Sequence, residues 1–164
     1  MPGYGFLLNN ELTDFDFGST THPNRADGGK RPRSSMAPTI VTHRGRPVLA
    51  VGSPGGSMII TTVLQTLLER FELGKSLPEA IATPRASQRN MSASATLPAG
   101  ATIAEPAFAP ERPGLVARGH RFAMAEPEIG AVTGIEFLGR DRFLAAAEPT
   151  RRGGGSAAVV RKDR

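Results

Sequence analysis

Ile60, Val63, Leu64, Leu67, Leu68 and Phe71 recur at steps of three and four residues, the pattern of a helix turned toward a core. Ser53 suits an N-cap, Pro54 a first helical residue and Gly74 a C-terminal stop, so the spacing predicts a helix of about 20 residues and about 30 Å. Ser76-Leu77-Pro78-Glu79 has capping-box spacing and predicts a short helix over 77–82, closed by Pro84. Upstream, Pro38-Thr39-Ile40-Val41-Thr42 and Pro47-Val48-Leu49-Ala50-Val51 read as a hairpin about His43-Arg44-Gly45-Arg46. Phe6-Leu7-Leu8 reads as a strand that runs through Asn9-Asn10-Glu11 and continues over 12–17, with acids between apolar residues. Downstream, Thr102-Ile103-Ala104, Arg121-Phe122-Ala123-Met124, 132–138 and Phe143-Leu144-Ala145-Ala146 read as strands, and 113–119 as a short helix. Strands on both sides of a helix pair imply a mixed α+β layered domain.

Between these elements, residues 18–30 are rich in Pro, Asn, Asp and Gly and nearly devoid of apolar side chains, which predicts an exposed loop. Gly153-Gly154-Gly155-Ser156 and the basic end read as frayed, giving a domain over 1–150 and a Gly/Arg-rich end over 151–164. The length of 164 residues suits one domain. The absence of cysteine excludes a disulfide framework, zinc-thiolate sites and a cysteine nucleophile. No apolar run approaches the roughly 18 residues of a membrane helix, and Met1-Pro2-Gly3-Tyr4 is not the basic start of a signal peptide.

The net charge of +5 raises a nucleic-acid reading, but the excess is local. Residues 30–50 carry five bases and no acid, and 151–164 five bases and one acid, whereas 1–29 and 101–150 are net acidic. Neither Lys30-Arg31-Pro32-Arg33, with Arg44 and Arg46, nor the Arg151-Arg152…Arg161-Lys162-Asp163-Arg164 tail is interleaved with aromatics. Both therefore read as solvated charge and not as a nucleic-acid surface.

Chemistry is concentrated in four places. Gly55 and Gly56 open the long helix, where unpaired backbone N–H groups can receive an anion or oxyanion; a tight strand-to-helix turn would demand the same glycines. The sequence there is neither a phosphate-binding Walker loop nor a dinucleotide fingerprint. Glu11 and Asp14, with Asp16 beyond, can converge on a cation or simply line the wet side of an edge strand. Ser34-Ser35 beside Arg31 and Arg33 can bind a carboxylate or form a plain loop. His22, His43 and His120 lack metal-ligand spacing and read as surface residues, so no metal site or cofactor is expected.

Three linked motifs, Asn9-Asn10-Glu11-Leu12-Thr13-Asp14-Phe15, Lys30-Arg31-Pro32-Arg33-Ser34-Ser35-Met36-Ala37-Pro38-Thr39 and Gly52-Ser53-Pro54-Gly55-Gly56-Ser57 with Ile59-Ile60-Thr61-Thr62, resemble the γ-glutamyltransferase (glutathione hydrolase) family in order and spacing. Ala82-Thr83-Pro84-Arg85 extends the resemblance, which is strong over 4–90 and looser from Glu105-Pro106 to Pro149…Arg152-Gly153-Gly154. It implies a partial N-terminal nucleophile hydrolase αββα sandwich, the C-terminal part of a small subunit whose partner is the large-subunit and N-terminal portion of the same enzyme. It implies that Glu11 and Asp14 hold the α-ammonium of glutathione or another γ-glutamyl compound, that Ser34 and Ser35 hold its α-carboxylate, and that Gly55 and Gly56 form the oxyanion hole. Family members are commonly exported.

The family's nucleophile opens a Thr-Thr-His run upstream of the Asn-Asn-Glu motif. Here Thr20-Thr21-His22 lies after that motif and runs into Pro23-Asn24, so it reads as a decoy; the nucleophile is expected to be absent from this chain, which alone is expected to be inactive. Two alternatives are a non-catalytic γ-glutamyl- or glutamate-binding module and a basic interaction protein.

Overall fold

The computed structural model describes residues 8–88, 99–123, 128–139 and 141–158. Chain contacts divide it into two compact units, residues 1–35 and 36–164.

In the first unit, the segment expected to extend a strand is instead a single 3-10 turn, Glu11–Asp14. Local groups hold it: the Asn9 Oδ1 accepts from the Glu11 N–H at 3.1 Å, and the Asn10 backbone carbonyl accepts from both the Thr13 N–H (2.9 Å) and hydroxyl (2.8 Å). Local side-chain acceptors thus compete successfully with strand pairing. The expected strand at Phe6-Leu7 lies outside the described residues. Residues 18–30 form the loop the composition predicts.

The second unit is built on a four-stranded antiparallel sheet whose strands, Thr39–His43, Arg46–Gly52, Thr133–Phe137 and Phe143–Ala147, lie side by side in that order. β1 (Thr39–His43) and β2 (Arg46–Gly52) form the expected hairpin, closed by Arg44 and Gly45 at φ 51° and 75°. Positive φ at both central residues matches the right-handed twist of the strands. The chain then passes through a 3-10 turn, Gly56–Met58, into α1 (Ile59–Phe71) and α2 (Leu77–Ala82) before β5 (Thr133–Phe137) and β6 (Phe143–Ala147) complete the sheet. A separate pair, β3 (Ala86–Gln88) and β4 (Thr102–Ala104), and α3 (Arg112–Val116) lie between. The expected strand at 121–123 makes only a bridge from Phe122 to Thr102, and its last residue, Met124, lies outside the described residues.

α2 begins and ends where its capping box and Pro84 predict: the Glu79 carboxylate accepts from the Ser76 N–H at 2.9 Å. α1 is shorter than predicted. Ser53 is not its N-cap, because its hydroxyl is engaged elsewhere and the two glycines that follow take φ 145° and 55°, values no α-helix accommodates. Gly74 at φ 70° lies just past its C-terminal end.

The core lies between the inner sheet face and the helices, and comprises Leu49, Val51, Val63, Leu77, Ile81, Val132 and Ala146. Only part of the apolar stripe of α1 joins it: Val63 is buried, whereas Ile60, Leu64, Leu68 and Phe71 are about half exposed. The register places Ile40, Ala50, Ile135 and Ala145 in one row across the outer sheet face, and Ile40 and Ile135 there are exposed. The last turn of α1 is pinned to the sheet by Arg70, whose guanidinium donates to the nearly buried Glu136.

Four charges are buried together. Arg151 donates to Glu105 and, at 2.9 Å, to Glu148; Arg85 donates to Glu148 at 3.2 Å. The backbone satisfies the rest: Arg85 reaches the Ile81 and Ile129 carbonyls, Arg151 those of Ile81 and Thr83, and Glu105 accepts from the Arg85 and Ile129 N–H groups. Arg151 is therefore not a solvated tail residue, whereas Arg152 and Gly153 of the same turn are exposed. Arg161, Lys162 and Arg164 lie outside the described residues. Among the described residues no helix is long and apolar enough to cross a membrane.

Candidate functional site

On a 3-10 turn, residues three apart eclipse, so Glu11 and Asp14 share one side of their turn, an alignment a strand would have denied them. Both are half-buried. Glu11 Oε1 is shielded from solvent without a hydrogen-bond donor among the described residues. The Asp14 carboxylate likewise has no donor among them, whereas Asp16 is occupied: its Oδ1 accepts from the Gly18 N–H at 2.9 Å and the Ser19 N–H at 3.0 Å. The structure thus separates two acids that sequence alternation could not.

The loop carrying Thr20-Thr21-His22 is held by its own groups. The Thr21 N–H donates to the Ser19 hydroxyl at 3.2 Å, and the His22 Nδ1 accepts from the Asn24 N–H at 3.0 Å. Lys30, though exposed, is tied to the same loop, its Nζ donating to the Pro23 carbonyl at 2.6 Å. Asn24 was not singled out by sequence, yet its side-chain amide joins two motifs: Nδ2 donates to the Asp14 carbonyl at 2.6 Å and Oδ1 accepts from the Arg33 N–H at 2.7 Å. Ser34 and Ser35 follow directly, the first exposed and the second half-buried. His22, His43 and His120 are exposed.

In the second unit, Gly55 and Gly56 occupy the entry to the 3-10 turn before α1, one turn earlier than the helical positions expected. Among the described residues neither N–H meets an acceptor, so both stay available as donors. Because Gly52 at the end of β2 pairs with Thr133 at the start of β5, the residues flanking that pair run alongside each other. The Ala131 N–H donates to the Ser53 hydroxyl at 3.0 Å, and that hydroxyl donates to the Pro54 carbonyl at 2.7 Å. Gly130 lies so close that a Cβ there would stand 2.7 Å from both Ser53 Oγ and Thr62 Cγ2. This brace also escaped the sequence reading, since nothing local to Ile129-Gly130-Ala131 marks it.

A sheet with helices on its inner face, entered through a glycine turn with free N–H donors, is the architecture of part of an N-terminal nucleophile hydrolase. It superposes on the gamma-glutamyltranspeptidase from Pseudomonas nitroreducens complexed with L-DON with a TM-score of 0.73 and 28% identity, over 98% of this chain and 85% of that one. The gamma-glutamyltranspeptidase family profile matches residues 1–158, and the chain belongs to that family. It is 50% identical to the glutathione hydrolase proenzyme of Bacillus subtilis (strain 168) over 92 residues, and 36% identical to that of Pseudomonas sp. (strain A14) over 170 residues. These matches cover 56% and 93% of this chain but only 16% and 28% of the relatives, so the chain spans under a third of the curated proteins it resembles.

Proposed function

We propose that this chain supplies the substrate-binding and oxyanion groups of a γ-glutamyl-transferring or glutathione-hydrolysing enzyme, and not its nucleophile. The observation that carries the reading is the pair of carboxylates on one side of the 11–14 turn that meet no donor among the described residues: a shielded carboxylate oxygen such as Glu11 Oε1 is costly to maintain without one. An α-ammonium supplies such a donor. Ser34 and Ser35 offer hydroxyl donors to the α-carboxylate of the same substrate. Gly55 and Gly56 offer two N–H groups for the oxyanion formed when the γ-amide is attacked; one such donor contributes on the order of 3 kcal/mol to transition-state stabilisation.

The nucleophile in this chemistry is a threonine whose own free α-amine takes the hydroxyl proton. Thr20 and Thr21 lie after the Asn9-Asn10-Glu11 motif, in a loop held by its own hydrogen bonds, and not upstream of that motif where the family's nucleophile stands. The remaining enzyme, including a large subunit, is the partner this reading requires, and γ-glutamyl compounds such as glutathione are its substrates.

The test compares Asp14→Ala with Asp16→Ala in an enzyme assembled from this chain and a family nucleophile segment. A charge-assisted hydrogen bond contributes about 1.5–3 kcal/mol, so Asp14→Ala is expected to raise KM at least tenfold, while Asp16→Ala, which loosens the 16–19 turn and its contact with His22, changes it less than threefold. Equal effects would refute the assignment.

A further inference from the structure

Resting on that reading, we propose that Ser53 is a positioning residue: supported by the segment 129–131, it sets the direction of the Gly55 N–H, and so acts on the transition state more than on the bound substrate. An oxyanion donor is effective when its direction is fixed before the charge forms. Glycine is the residue least able to fix itself, and Gly55 and Gly56 stand at φ 145° and 55° with no side chain to anchor them. The constraint must therefore come from neighbours.

Each donor belongs to a planar trans peptide whose carbonyl points the opposite way, so holding the oxygen sets the direction of the N–H. The Gly56 N–H shares its peptide with the Gly55 carbonyl, which accepts from the Met58 N–H at 3.1 Å. The Gly55 N–H shares its peptide with the Pro54 carbonyl, and that oxygen accepts from the Ser53 hydroxyl at 2.7 Å. A side chain thus does for Gly55 what the backbone of the 3-10 turn does for Gly56. The hydroxyl is itself held from 78 residues further along the chain, where the Ala131 N–H donates to it at 3.0 Å. Gly130 lies against Gly55, where a Cβ would stand 3.4 Å from the Gly130 Cα, and Met58 packs on the cluster that contains Ile129. Ile129 is fixed on both sides, its N–H donating to Glu105 and its carbonyl accepting from Arg85, each at 2.8 Å. Three successive residues therefore support the turn. Alanine at 53 removes both bonds of the hydroxyl and releases the Pro54–Gly55 peptide, while the Gly55–Gly56 peptide keeps its bond to Met58.

The experiment has two arms. In the full chain, N–H residual dipolar couplings report the direction of each peptide. Expected for Ser53→Ala is a Gly55 coupling that departs from the value its direction in the structure requires, with the Gly56 and α1 couplings kept. An unchanged Gly55 coupling, or a change spread over the turn and α1 alike, overturns the positioning role, because a merely structural residue does not single out one peptide. In the enzyme assembled from this chain and a family nucleophile segment, inhibition constants are measured for glutamate and for a glutamate analogue with a boronic acid in place of the γ-carboxyl. Its boron becomes tetrahedral and anionic when the nucleophile's oxygen adds to it. Loss of one oxyanion donor costs about 100- to 1,000-fold, so Ser53→Ala is expected to weaken the boronate at least tenfold and glutamate less than threefold. A smaller fraction of folded enzyme moves neither constant. Equal losses, or none, overturn the role. Gly55→Ala separates this from the reading beneath it, since a Cβ at φ 145° against Gly130 and Ile59 shifts the turn itself. If Gly55→Ala leaves boronate affinity intact, the oxyanion reading fails and the inference with it. If it weakens the boronate while Ser53→Ala does not, the reading stands and the positioning role alone falls.

Discussion

Replacing Gly130 by alanine tests how the glycine turn ahead of α1 is held. The added Cβ would meet Ser53 Oγ and Thr62 Cγ2 at 2.7 Å and Thr62 Oγ1 at 2.9 Å, all well inside van der Waals contact. Neither neighbour can yield easily: Thr62 is fully buried with its hydroxyl on the Met58 carbonyl, and Ser53 is tied to both Ala131 and Pro54. Overpacking of this kind costs about 1–3 kcal/mol, and a φ of 70° adds about 1–2 kcal/mol for a residue with a Cβ. The expected loss is therefore about 2–5 kcal/mol. Gly56→Ala is the control, because its φ of 55° carries the backbone cost while its Cβ meets nothing within 4 Å. Urea unfolding of both variants gives the two losses, with Gly56→Ala expected near 1–2 kcal/mol. Adding Thr62→Ala to Gly130→Ala should recover part of the loss, since two of the three contacts vanish, so the pair should be non-additive by about 1 kcal/mol or more. Additive losses, or Gly130→Ala no worse than Gly56→Ala, would refute the steric argument.

Arg151→Met should cost about 3–5 kcal/mol in the same assay, because it leaves Glu105 and Glu148 buried with one cation between them. Burial pushes the Glu105 carboxyl up, but bonds from Arg151 and from the Ile129 and Arg85 N–H groups outweigh it and hold it below its ordinary value. Its contribution is therefore complete above the unfolded carboxylate value of about 4.3 and is lost as pH falls through the lower folded value; a melting temperature insensitive to pH between about 5 and 2 would contradict this. The half-exposed stripe of Ile60, Leu64, Leu68 and Phe71 should bind a hydrophobic dye, and Leu64→Gln should reduce that signal without lowering the urea midpoint by more than about 0.5 kcal/mol equivalent. Thr20→Ala and Thr21→Ala should leave the activity of an assembled enzyme within twofold; abolition by either would mean the loop threonines do chemistry.

What could be read in advance was local. The bounds of α2 follow from Ser76, Glu79 and Pro84, all within nine residues, and the hairpin from two β-rich runs about one short turn. The stripe of α1 was legible as helical but not as sided, because apolar identity at 60, 64 and 68 is the same whether a neighbour or solvent covers it. The acid segment misled: alternation suggested a strand, while the side chains of Asn9 and Thr13 had the hydrogen-bonding groups to fold it into a turn. Of the candidate site, the residue types were visible in their motifs. The groups that hold them, Asn24 and Gly130, were not, because each acts on a segment distant in sequence through one contact that no periodicity announces.

The cluster of Arg85, Glu105, Glu148 and Arg151 also orders events in time. The partner that neutralises Glu105 lies 46 residues further along the chain, which a ribosome adds in roughly 2–9 s. During that interval Arg85 and Glu105 have no complete set of counter-charges, and enclosing them would strand charge in a low-dielectric interior. The nascent domain must therefore stay open around this point until Arg151 emerges, so the closing residues of the unit act as the fastener of a fold whose sheet and helices have all been synthesised before them.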